Sequence, residues 1–125
     1  MWTSAAGHHL HHLGNVAQLI PPWAHLLWTP ARMRRVLADR WPPEASITLD
    51  EAVAWVYHSQ EINRVDVVTL RRMFETAPFT IEWIAPLPED DDGDKARLAA
   101  YLATILPYSE EQLLTRGFSI MMRKA

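Results

Sequence analysis

A chain of 125 residues is long enough for one domain with a hydrophobic core and short for two. With 49% hydrophobic residues and six Trp it is globular in composition, and a net charge of -3 with its arginines scattered excludes the basic footprint of a nucleic-acid binder. No cysteine excludes disulfides and thiolate chemistry, while the lack of a signal peptide pattern or a long apolar run predicts a soluble, cytoplasmic protein with no membrane partner.

Residues 1–28 form a His- and aromatic-rich opening segment. His8, His9, His11 and His12 fall within five positions, and His8 and His12 would share a face if this stretch is helical. Two His one turn apart can bind zinc, but a site needs further ligands and no HExxH pattern is present; a polar lead-in or a pocket lining are the other readings. Imidazoles titrate near neutral pH, so any of these could also take a proton. Pro21 and Pro22 forbid a regular helix before them, and Trp23, Leu26, Leu27 and Trp28 are expected to be buried or to line a cavity.

Residues 29–78 are helical in pattern. Thr29 and Pro30 start a helix as N-cap and first residue, with Met33, Val36, Leu37 and Trp41 on one face, and Pro42-Pro43 stops it. The sequence Thr48-Leu49-Asp50-Glu51 is a capping box. It opens a helix to about His58 with Ala52, Val53, Val56 and Tyr57 inward and Trp55 and His58 partly off that face. Residues Ser59 to Arg64 connect to a helix capped by Asp66, on which Val67, Leu70, Met73, Phe74 and Ala77 recur at helical spacing.

In residues 79–125 the period changes. Phe79, Ile81 and Trp83 alternate with Thr80 and Glu82, and Phe118, Ile120 and Met122 alternate near the end, predicting antiparallel strands near 79–85 and 117–124. The run Glu89 to Asp94 is acidic but lacks the EF-hand order, so it reads as a solvated turn feeding negative charge to the next helix. That helix is expected over 95–106, with Leu98, Leu102, Ile105 and Leu106 inward. Ser109 to Gln112 is a second capping box, and Gly117 suits a left-handed release into the last strand. The expectation is a single α+β domain, helix-rich with a small antiparallel two-stranded sheet.

The runs RRMFETAPFTIEWIAPL and LLTRGFSIMMRKA, with an acidic helical excursion between them, resemble the C-terminal end of class I S-adenosylmethionine-dependent methyltransferases, which have a Rossmann-like fold. Arg123 and Lys124 hold the closing basic place, and SAAGHHLHHL with PPWAHLLWTPARMRRVL looks like the segment after the fifth strand in one bacterial branch of that family. The resemblance departs where the family binds its cofactor, because no glycine-rich turn or ribose-binding carboxylate is present. It therefore implies an acceptor-binding or lid portion that is inactive alone. No cofactor is expected in this chain by itself, and S-adenosylmethionine only if another half completes it.

On that resemblance His8, His9 and His25 are the candidate bases or orienting groups for a small-molecule acceptor, and Trp23, Trp28 and Tyr57 the candidate pocket walls. A stand-alone binding or oligomerisation module is the alternative, and a His-cluster metal protein a third. Because a two-stranded sheet leaves edges open, a homodimer or a partner chain completing the sheet is expected.

Overall fold

A computed structural model of the chain describes residues 1–62, 64–90 and 92–124. Asn63, placed by the sequence in a connection, Asp91 of the acidic turn and Ala125 lie outside the described residues. The chain is α+β and divides into two compact units, Ala6–Asn63 and a second one made of Met1–Ala5 with Arg64–Ala125.

The Ala6–Asn63 unit is helical. Residues 6–8 form a turn and 9–10 are irregular, leading into 3-10 structure over His11–Leu19 that kinks at Leu13 and at Gly14, whose φ is 56°. His8 and His12 therefore share no helix, because the chain never forms a full α-turn there. Helix α1 (Ala24–Leu27) is a single turn entered through Trp23 at φ 58°. Helix α2 (Pro30–Leu37) begins as expected, the Thr29 hydroxyl accepting from the Arg32 N–H at 3.2 Å. It passes into 3-10 structure over Ala38–Arg40, and the Trp41 indole donates to the Ile47 carbonyl at 3.1 Å, closing the Pro42-Pro43 loop. Helix α3 (Leu49–His58) carries the complete capping box. Its Ala52, Val53 and Val56 join Leu10, Val16, Ile20, Trp23, Met33 and Leu37 as the buried core. Leu27 and Val36, assigned inward from the sequence, are exposed. A one-turn helix has no continuous inner stripe, and α2 buries only the narrower face of Met33 and Leu37.

The other unit centres on helix α4 (Val67–Thr76) and two antiparallel strands, β1 (Phe79–Pro88) and β2 (Thr115–Lys124). Between the strands run α5 (Gly93–Leu102) and α6 (Glu110–Leu114). The Asp66 carboxylate caps α4 by accepting from the Val68 and Thr69 N–H groups and the Thr69 hydroxyl, and it also accepts from Gln112 Nε2 at 3.0 Å. Residues 1–5 are tied to this unit, the Thr3 hydroxyl donating to the Gln112 carbonyl and the Ala5 N–H to the Glu89 carboxylate. Trp2 lies against the Arg64 guanidinium, 5.2 Å from the ring centre.

Both strands are longer than the alternation suggests, and the ladder slips between Ile81 and Trp83. The slip leaves Glu82 as an extra residue in β1, a bulge that reverses the facing of the later strand residues. Ile84 pairs with Ile120 and Pro86 with Phe118, so they share a face with Ile81 and Met122. Phe118 on that face meets Phe74 of α4 edge-on, with ring centres 5.8 Å apart. Trp83, expected beside Phe79 and Ile81, instead pairs with Met121 on the opposite face.

Three further expectations are corrected in this unit. Helix α5 starts and ends earlier than the expected 95–106; beyond Leu102 the Thr104 and Ile105 N–H groups donate to the Tyr101 and Leu102 carbonyls three residues back, and the Leu106 N–H shares the Leu102 carbonyl. Ile105, placed inward, falls beyond the helix and is exposed, and Leu98 within α5 and Met73 of α4 are exposed as well. Gly117 is not left-handed; it lies inside β2 opposite Leu87, because Thr115 already takes the extended conformation that leaves α6.

Candidate functional site

The histidines and aromatics singled out from the sequence lie in the Ala6–Asn63 unit, where the structure brings part of them together. His8 and His25 are both buried, with ring centres 6.0 Å apart at 70°. The Leu10 N–H donates to His8 Nδ1 at 3.0 Å, so the neutral ring carries its proton on Nε2. Burial first, then the neighbouring His25, His11 and His9, lower the His8 pKa from 6.5 to about 3. A general base works best with a pKa near the working pH. At about 3, with one nitrogen already engaged, His8 is a poor proton acceptor and a good packing group.

His9 has a left-handed φ of 57°, and its ring is 6.2 Å from that of His11. Trp23 is fully buried and offers no wall to an open site. The Tyr57 hydroxyl donates to the Trp28 carbonyl at 2.7 Å, and burial pushes its pKa up to about 12. That bond ties α3 to the end of α1. Among the described residues no group of three or more His, Asp or Glu could hold a metal ion.

A different set of residues forms a cavity. Leu10, His12 and Leu13 from the opening segment, Ile47 from the loop, and Glu51 and Trp55 from α3 line a space of about 260 Å³. Glu51 and Trp55 are four residues apart and so project from one side of α3. The Glu51 Oε2 accepts from both the N–H and the hydroxyl of Thr48, which lowers its pKa and keeps the carboxylate ionised. The Trp55 indole nitrogen is buried without a hydrogen-bond acceptor, so what the ring shows the cavity is its carbon framework.

Of the six residues expected to carry function, none lines this cavity. The local signals point elsewhere: Glu51 reads as a cap, and Trp55 lies off the apolar stripe. The features of the site present in the sequence are the capping box that fixes Glu51 and the i to i+4 spacing of that carboxylate from the Trp55 indole. No protein-family model matches the chain, and no curated protein or solved structure matches it.

Proposed function

We propose that the chain is a non-catalytic assembly module that associates with a second copy through the outer face of its sheet. The observation that carries this reading is the exposure of Trp83 (51%), Met121 (57%) and Leu87 (42%), the first two directly opposite each other on the face turned from Phe74 and Phe118. Contiguous exposed apolar patches of a few hundred Å² are often interaction surfaces. The face is also self-complementary in charge. Glu82 and Arg123, paired at 3.0 Å, flank the Trp83 and Met121 pair, so a two-fold axis through it would set each acid near the other copy's base.

Magnitude limits the strength of such a dimer. Ten residues of two paired strands make a ribbon about 33 Å by 10 Å, or about 330 Å² of face. A specific interface takes at least about 500 Å² from each partner, so the ribbon face alone supports weak association. The free edge of β2 can add to it, because β2 contains no proline, whereas Pro86 and Pro88 remove donors from β1. Sedimentation or light scattering is expected to give a mass rising from one chain towards two between about 10 and 300 μM, and Trp83→Glu to hold it at one. A concentration-independent mass of one folded chain over that range overturns the proposal.

The order α4, β1, α5, α6, β2, with β2 antiparallel to β1, favours a second reading: the acceptor-side portion of a methyltransferase, completed by a cofactor-binding half on another chain. Lacking a glycine turn and a ribose carboxylate, this chain alone is expected to bind S-adenosylmethionine no tighter than about millimolar. Calorimetry of the isolated chain checks this, and low-micromolar binding would show that the missing half is not needed.

A further inference from the structure

We propose that the cavity of the Ala6–Asn63 unit binds a small organic ammonium, its apolar end among Leu10, Leu13, Ile47 and the Trp55 ring and its charged end at the Glu51 carboxylate. Four of the six lining side chains are apolar or present ring carbon, so a ligand of only polar atoms would leave most of the wall unmatched. About 260 Å³ admits one ring or a short chain and not a nucleotide or a cofactor of that size.

The sign of the charge is set by Glu51. Its carboxylate is held in place by Thr48, which occupies Oε2 twice and leaves Oε1 for a ligand. Nothing on the cavity wall carries a fixed positive charge to balance it, since the remaining polar group is the His12 imidazole. An anion entering the cavity would therefore meet a fixed carboxylate, and an ammonium would meet an acceptor. The Trp55 indole on the wall adds apolar contact for the rest of the ligand beside the carboxylate. His12, from the opening segment, offers a ring nitrogen that can accept a further ammonium N–H when the imidazole is neutral.

This site shares no residue with the sheet face, and its test reads the Trp55 signal rather than the mass, so the two proposals fail separately. The full chain is titrated with 2-phenylethylammonium, 2-phenylethanol and 3-phenylpropanoate while the Trp55 indole N–H signal is monitored by NMR. The ammonium is expected to shift that signal saturably in the millimolar range, the alcohol to bind about fivefold more weakly, and the carboxylate not to bind. Glu51→Gln keeps the capping box, which accepts Gln in place of Glu, but removes the charge. In that variant the preference for ammonium over alcohol is expected to vanish with the helix intact by circular dichroism. Equal affinities of amine and alcohol for the unaltered chain, a preference that survives Glu51→Gln, or no saturable shift with any of the three overturns the proposal.

Discussion

At the scale of single residues, burial rather than reactivity decides what His8 does. The neighbours of His8 in the sequence suggest a base, yet it is only 3% exposed and sits against His25. Desolvation disfavours the charged ring, and the adjacent imidazoles add to this. The unfolded chain takes a proton on this residue below about 6.5 and the folded chain only near 3, which fixes the sign of its effect on stability. Stability is complete above about 6.5 and declines as pH falls through that window. Two pH units within it correspond to about 3 kcal/mol. His8→Asn retains a side-chain acceptor for the Leu10 N–H and removes the titration. Denaturant unfolding at about pH 6.5 and 4.5 is expected to show the original chain losing about 2–3 kcal/mol more than the variant. Equal losses would mean that His8 protonates as easily folded as unfolded.

Trp23 makes the same point about conformation. A bulky residue at φ 58° costs on the order of 1–2 kcal/mol, and here it is held there by complete burial. Paired prolines just before it signal a break in the chain, but no local rule puts a tryptophan in a left-handed turn. That placement comes from the core it fills.

At the scale of elements, four of the helix N-caps were legible, while the Asp92 cap of α5 and the strand facing were not. Thr29, Thr48, Asp66 and Ser109 all cap the helices assigned to them, because the cap is a bond between residues two or three apart. The facing of Trp83 depends on Glu82 having no partner across the ladder, which is a property of two strands and not of one. The cavity was hidden for the same reason, as its walls come from Leu10, His12 and Leu13, from Ile47, and from Glu51 and Trp55. Among the caps Asp66 does more than end a helix, because Gln112, the closing residue of the Ser109 capping box, donates to it. Burial pushes its carboxyl up, but hydrogen bonds from Thr69, Gln112 and Val68 outweigh this and hold it below the usual carboxylate range. Asp66→Ala is thus expected to cost about 2 kcal/mol, against about 1 kcal/mol for Thr48→Ala, where the box serves one helix. The Asp66 contribution is present above the ordinary carboxylate range and is lost as pH falls below it. Urea midpoints at about pH 7 and pH 3 measure both effects. A cost for Asp66→Ala that is no smaller at the acid pH would show that packing, not the charged cap, carries it.

At the scale of the whole molecule, the two units differ in how much apolar surface each puts away. No helix among the described residues is long and apolar enough to cross a membrane. In Ala6–Asn63 the residues Leu10, Val16, Ile20, Trp23, Met33, Leu37, Val53, Val56 and Ile62 are all buried. In the other unit the large buried side chains are Val67, Leu102 and Leu113, while Phe79, Trp83, Leu87, Met121 and Met122 of the sheet stay exposed. Local opening is easiest where few buried contacts must break. Amides of α2 and α3 are therefore expected to exchange with solvent slowest, and those of residues 79–81 and 121–124, at the open end of the ribbon, among the fastest in regular structure. If a second copy covers the Trp83 face, mass action must stabilise the ribbon as protein concentration rises, and it must do so without touching α3. Raising the concentration from about 10 to 300 μM is then expected to slow exchange in β1 and β2 about fivefold or more and to leave α2 and α3 unchanged. Exchange in the strands that ignores concentration would show that the exposed face has no second copy to meet, and uniform slowing in both units would place the contact elsewhere.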